Sequence, residues 1–594
     1  MARPVHNRFL CVVLFAATSV TLAARGADTP KTAEAPADPD KALVAALAGD
    51  KPLQKGEHKT VRAAFVKHFE AKHADLIKVG FGDDFDKITK WLDANAEIKE
   101  MLYTAIDPDA DNIAGALEIL RSLYALGPDK LKLYANAAIA LAVTWDNPQA
   151  VYDYRGHQVR THSIMPQGVD KVGVVENYEY LTKADGPIKA AAQGFPWEFL
   201  VHVVNHHTPT NERAWAVKNY GKRRAGIGSS YKDIVYDMEM LLTDSKLCKL
   251  NNQPYTLESI KKHGGVCAMQ ADFAARVAKS LAVPAEYVGG ESNSGGLHAW
   301  VMWVEVRAVQ KDKIDFVLAS EGRYLGDQYY IGTLLDPKTG KEMTDRDMER
   351  RLTFVGLNPQ TSRQADLLMR AYPAVRDAKD MTASQQAAYL GKILDLFPGS
   401  ERAWLALAEL YKEGKLTDPA AARQLAERAF TTFAKFPDFT WKVIDDLLTP
   451  VRDKAVRTRL FERLVASFEG LGRPDLACEA RLKLTEYQGD AKDWKKAAEG
   501  LAFTIRKFPS EGRYVPKMMT RLQEVCKEYK GGTDLLGKFY LDLLPQIPKK
   551  RGDEVSKYCV KMHEQALDFY KTNNKTREAA LIEQQLAALG RGGN

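Results

Sequence analysis

The sequence predicts an α+β protein in which a modest strand-containing domain lies between two helical regions. Three observations predict it. Apolar residues recur three and four apart from about residue 42 to 190, short alternating or doubly apolar runs appear between about 191 and 345, and helical spacing returns from about 380 to the end. A chain of 594 residues is too long for one hydrophobic core, so two to four domains are expected. Its apolar fraction of 45% and charged fraction of 27% are those of an ordinary globular protein.

The first 26 residues read as an export signal. Arg3 and Arg8 form a positive head, Phe9 to Ala17 is a short apolar run, and small residues follow, with cleavage expected after Ala23 or Gly26. The run is too short to span a bilayer, and Cys11 lies inside it rather than after it, which weakens a lipid-attachment reading. Residues 27–41, rich in Pro, Ala and charge, read as a solvated tether. No later stretch is apolar enough to cross a membrane, so the mature chain is expected to be exported, periplasmic or extracellular. The formal charge of +7 falls to +4 once Arg3, Arg8 and Arg25 are removed, and no basic run concentrates it, which argues against nucleic acid as a partner. Without Cys11 five cysteines remain, Cys248, Cys267, Cys478, Cys526 and Cys559. In an oxidising compartment an odd number leaves at least one thiol, unless chains pair with each other, while the other four could form two bridges.

Residues 42–190 form the first helical region, as in Gly115 to Gly127 and Lys132 to Trp145, and carry no motif. The domain at 191–345 has strand-like runs at Ala285 to Val288, His298 to Val306, Ile314 to Ser320 and Tyr329 to Leu335. A connector at 346–379 leads to a helical region at 380–594. There Trp404, Leu407, Ala408 and Tyr411 match the tetratricopeptide spacing, and Ala422, Ala426 and Ala429 share one side of the next helix. Phe-Pro recurs at 397–398, 436–437 and 508–509, each time after a helical stretch. Stacked helix pairs of this kind make an α-solenoid that recruits protein partners; a generic helical bundle is the plainer alternative.

The stretch from His263 to Val306 carries the chemistry. Gly264 and Gly265 give a turn, Cys267 opens a helix with an apolar stripe at Phe273, Ala274, Val277, Ala278 and Leu281, and Pro284 ends it. A thiol at a helix N-terminus meets the positive end of the peptide dipoles, which favours the thiolate over the ordinary thiol pKa of ~8.5. First-turn N–H groups also face any oxyanion formed beside the sulfur. His298 opens a strand apolar on both faces, expected inside a sheet, and so gains a rigid mount suited to a base. The plainer readings are a small buried cysteine and a strand-end polar residue.

These residues resemble the transglutaminase-like superfamily. "GGVC", "ADFAARVAKSLAVPAEYVGG" and "HAWVMWVEV" stand where the family has its Gly-Val-Cys, small-residue helix and His strand, and "YTLESIKKHGG" is similar to its lead-in. The match spans about 150 of the 594 residues. The resemblance implies a papain-like core with a Cys-His-Asp triad and acyl transfer at amide bonds, with protein cross-linkers, peptidases, other amide hydrolases and inactive relatives among its members. The family's Asp follows on the next strand. Here the nearest candidates are Ser320, Glu321 and Gly322, and Glu321 takes the role by its separation of 23 residues from His298. Asp315 is expected far from His298 and Asp336 on a strand leading away. A one-residue slip of register would turn Glu321 to the other face.

Two clusters carry weaker expectations. His202 and His206 stand four apart beside His207, but Val203 replaces the glutamate that a zinc-peptidase motif needs. Asp107, Asp109, Asp111 and Glu118 mimic a calcium loop, but Asn112 replaces its glycine, and a helix start is the better account. The expected function is acyl transfer from an amide or peptide to water or an amine, through Cys267, His298 and Glu321, with no cofactor or metal and a protein or peptide substrate. The alternative is a catalytically silent binding or scaffold protein on the same fold.

Overall fold

The computed structural model describes residues 38–169, 172–291, 297–310, 312–323, 332–471, 473–551 and 554–591. The expected export signal and most of the tether lie outside the described residues, as do 329–331 of the fourth expected strand. From Pro39 onward the chain is helical in bulk, with one five-stranded antiparallel sheet. It is therefore a mixed α+β protein. No helix among the described residues is long and apolar enough to cross a membrane.

The sheet strands are β1 (Ala285–Glu291), β2 (Leu297–Val309), β3 (Ile314–Glu321), β4 (Gly332–Leu335) and β5 (Glu342–Thr344), in the order β3-β2-β1-β4-β5. The double apolar character of β2 is used on both sides. Ala299, Val301 and Trp303 pack into a large core with the Cys267–Ser280 helix, while Trp300, Met302 and Val304 join Val288, Leu334, Met348 and Leu352 on the other face. Gly228 lets the backbone lie against the Trp303 ring, where any Cβ would collide. β5, three residues long, carries no sequence signal strong enough to have been expected.

The large core runs without a break from Val66 to Trp303, so the helices of 66–190 and the Cys267 domain are built on one hydrophobic body. The first helices instead pack towards the C-terminal half. Leu43, Leu47, Leu53 and Val61 share a core with Leu368, Trp404 and Phe439. The His58–Lys72 helix faces both bodies, through Val61 on one side and Val66 and Phe69 on the other. Trp404, Leu407, Ala408, Tyr411, Ala422, Ala426 and Ala429 are all buried, as their spacing requires.

A buried guanidinium ties the sheet to the C-terminal helices. Arg350, 1% exposed, lies on the Asp345–Leu357 helix that follows β5. Its Nε lies 2.8 Å from Glu401, its Nη1 2.9 Å from Asp438, and its Nη2 bonds Asp347. Burial pushes the Asp347 carboxyl up, but hydrogen bonds from Thr344 and Arg350 outweigh it and hold the group well below the ordinary carboxylate range. Replacing Arg350 by Leu strands these acids and is expected to cost about 3–5 kcal/mol, read as a lower midpoint of urea unfolding. A carboxyl depressed by folding stabilises in full above its unfolded pKa and loses that contribution progressively as pH falls towards its folded one, so the deficit begins to narrow below about pH 4.

Candidate active site

The position of Cys267 is set by the two glycines before it. Gly265 N–H donates to Val235 O at 3.0 Å and Asp237 N–H to Gly265 O at 3.0 Å, so the lead-in pairs with the 235–237 segment. Gly264 has φ +81°, and a Cβ there would strike the Val235 carbonyl. The chain then turns at Val266 into the Cys267–Ser280 helix, with Cys267 as its first residue. The Ala268 and Ala299 N–H groups face the sulfur. Burial nonetheless dominates and pushes the Cys267 thiol up; those amides and Arg160 oppose it only in part. The helix start alone was expected to favour the thiolate. The difference arises because this helix is buried from Ala268 onward and its first turn lies against the large core.

The amide that reaches Cys267 is the one joining His298 to Ala299, whereas the His298 ring itself shares the Trp300 face of β2, opposite the face that packs on the Cys267–Ser280 helix. His298 pairs with Gly290, is 7% exposed, and holds its ring 6.2 Å from that of Trp300. Its Nε2 lies 2.6 Å from Gly322 O. A carbonyl only accepts, so Nε2 carries the proton and Nδ1 is the basic nitrogen of the neutral ring. Gly322 has φ +87° and lies flat on Tyr231, where a Cβ would enter the ring. Tyr231 in turn donates to Ala299 O at 3.1 Å, so both polar groups of Ala299 are engaged at the point where β3 ends.

Glu321 lies elsewhere. Its register partner is Val301, three residues past His298 and of opposite parity, so its side chain leaves by the other face. There Lys232 Nζ donates to its Oε2 at 2.9 Å, and Gly322 N–H donates to its Oε1 at 3.2 Å. Asp336 accepts from Arg351 at 2.8 Å and caps the turn at Lys338, and exposed Asp315 pairs with Ala308. The acceptor at His298 Nε2 is thus a backbone carbonyl one residue beyond Glu321.

Residues that the apolar stripe concealed surround the thiol. Tyr287, whose hydroxyl is raised chiefly by burial and then by Cys267, stacks on Tyr152 at 5.7 Å and tilts against His157 at 5.0 Å. Tyr152 and Tyr255 donate to the two oxygens of Asp272 at 2.9 and 3.2 Å. The same helix carries Arg276, bonded to Glu212 and Thr208, and Lys279, bonded to Glu286. Their signal was available: Asp272, Arg276 and Lys279 follow helical spacing inside an otherwise small-residue segment. Beside Gly322 opens a cleft of about 560 Å³, lined by Tyr231, Lys232, Gln270, Glu321 and Arg323 among others.

The remaining sequence candidates are scattered among other partners. His202 bonds Glu286, His206 bonds Thr208 and His207 bonds Val172 O. Asp107 pairs with Arg402 at 2.9 Å, Asp111 with Lys338 at 3.1 Å, and Asn112 caps the helix at Ile113–Ala125. Among the described residues no group of three or more His, Cys, Asp or Glu is placed to hold a metal ion. Cys248, Cys267, Cys478, Cys526 and Cys559 are all free thiols.

A thiol raised by burial stays protonated at neutral pH. Iodoacetamide is therefore expected to label Cys267 at a rate that climbs with pH up to and beyond the ordinary thiol range. A preformed thiolate–imidazolium pair would instead give a reactive plateau between about pH 5 and 7. Neither a family model nor any curated protein matches this chain.

Proposed function

We propose that this is an exported acyl-transfer protein of the transglutaminase-like kind, with a papain-like core and Cys267 as nucleophile. The supporting observation is the Ala299 amide, which faces the Cys267 sulfur and is bonded directly to His298. The tautomer of the imidazole adds to it, since Nε2 donates to Gly322 O and Nδ1 is the basic nitrogen of the neutral ring.

In this reading a carboxamide or peptide enters along the cleft beside Gly322. The Cys267 S–H proton passes to His298 Nδ1 as sulfur attacks the carbonyl carbon, because the buried thiol does not ionise beforehand. Amides of the first helical turn stabilise the resulting oxyanion. Nδ1 then returns its proton to the leaving nitrogen, the C–N bond breaks, and a thioester remains on Cys267. Water or an amine, deprotonated by the same nitrogen, releases the acyl group. The Gly322 carbonyl orients the ring throughout, in the place where the resemblance implies a carboxylate. The helices from 380 to 594 act as a tetratricopeptide-like docking array for protein partners, supported by the burial of Trp404, Leu407, Ala408 and Tyr411.

A second reading, a binding protein that keeps this fold without turnover, is favoured by two observations: the raised thiol, and a Glu321 that bonds Lys232. Mass spectrometry of thioester adducts from a peptide-amide library separates the two. Acyl transfer predicts an adduct on Cys267, none in Cys267→Ser, and formation slowed about 10²–10⁴-fold in His298→Ala. Glu321→Gln is expected to stay within about threefold of the parent, because its carboxylate does not hold the ring. No adduct, or one indifferent to His298, leaves the binding reading.

A further inference from the structure

The short helix Arg155–Arg160 is pinned to both walls that hold Cys267. On one side His157 tilts against Tyr287 of β1 at 5.0 Å, and its Nε2 lies 3.1 Å from the Tyr152 hydroxyl. On the other side Arg160 Nε donates to Ser245 Oγ at 3.1 Å. Ser245 belongs to the 237–249 segment, in which the Asp237 carboxylate accepts from Lys249 N–H and the Asp237 N–H donates to Gly265 O, just before Cys267. The Arg160 guanidinium is thereby held within electrostatic reach of Cys267, Cys248, Tyr287 and His157.

Arg160 is exposed, and among the described residues no carboxylate pairs with it. The neighbouring acids are met by other groups: Asp272 by Tyr152, Tyr255 and Arg276, Asp153 by Arg155, and Asp237 by the N–H groups of Met240 and Lys249. One positive charge is therefore left over beside the sulfur. With Nε engaged by Ser245, the two Nη groups remain as a fork, the geometry that matches a carboxylate. We infer that Arg160 is a specificity-determining residue of the Cys267 site, and that the acyl substrate carries a carboxylate a few bonds from the carbonyl that sulfur attacks. The inference deepens the acyl-transfer reading and rests on it for the carbonyl; the preference for an anion beside the thiol stands without it.

Iodoacetate and iodoacetamide share a leaving group and differ in charge, so the ratio of their rates at Cys267 cancels the thiolate fraction. Read by mass spectrometry on the full chain, that ratio is expected to exceed the ratio for glutathione by about fivefold. Arg160→Gln should return it to the glutathione value, whereas Arg160→Lys, which keeps the charge, should retain most of it. The carboxylate belongs either to an acidic side chain or to a free C-terminus, and protection of Cys267 from iodoacetamide distinguishes them. Acetyl-Glu-Ala amide and acetyl-Ala-Ala acid are the two probes, with acetyl-Ala-Ala amide as the neutral control. At least one acid is expected to protect at a concentration about tenfold below that of the control, and which one does so identifies the source. The inference is overturned if the parent ratio matches glutathione, if Arg160→Gln leaves it unchanged, if Arg160→Lys falls as far as Arg160→Gln, or if neither acid protects better than the control. No arm reads thioester formation, so a chain that prefers the anion and forms no adduct fails the acyl-transfer reading alone.

Discussion

The whole centre of this molecule depends on one helix that is buried on every side and yet carries three charges. Asp272, Arg276 and Lys279 are each at most 1% exposed on the Cys267–Ser280 helix. Removing a charge from water costs several kcal/mol, so each must be met inside the fold. Asp272 is met by Tyr152, Tyr255 and Arg276, Arg276 also by Glu212 and the Tyr154 ring, and Lys279 by Glu286 and Asn205. An apolar stripe alone would tolerate a small rotation of the helix. These pairs do not, because a turn of one residue would leave a buried ion alone, at about 3–5 kcal/mol. The position of Cys267 at the end of the helix follows from that matching.

A second constraint, parity, acts on the sheet. Side chains alternate along β2, so His298 and Trp300 share one face while Ala299 and Val301 share the other. Glu321 pairs with Val301 and inherits the wrong parity for a carboxylate contact with His298. The backbone is free of that rule. Just past the end of β3 the left-handed turn at Gly322 aims a carbonyl at the imidazole, and Tyr231 closes the space that any side chain there would need. A glycine, not an acid, therefore solves the problem of holding the ring.

Much of this was legible in the residues. The Gly-Gly lead-in, the helix beginning at Cys267, the two-faced strand after His298 and the buried faces around Trp404 and Ala426 follow from spacing and punctuation, which are local properties. What was hidden depends on pairing across distance. Strand register is one case, since β2 is apolar on both faces and its pattern does not choose between adjacent alignments. The partnership of Leu43 and Leu47 with Leu368 is another, because an amphipathic helix declares that it has a core face but not which core it joins. The thiol environment is a third: helix polarity is visible in sequence, whereas the depth of burial that outweighs it is a tertiary property.

These constraints act together at the proposed reaction centre. A carboxylate behind an imidazole stabilises the imidazolium and so favours a resting ion pair with the thiolate. A carbonyl orients the ring as firmly but supplies only a dipole, and the sulfur here lies in a setting that penalises its charge. Both effects favour a neutral pair at rest, in which proton transfer and carbon–sulfur bond formation occur together. Under the acyl-transfer proposal, the charge that such a site lacks at rest would come with the bound substrate, whose polarised carbonyl gives the proton a reason to move. A thiol that burial keeps protonated is also less open to oxidation than a thiolate.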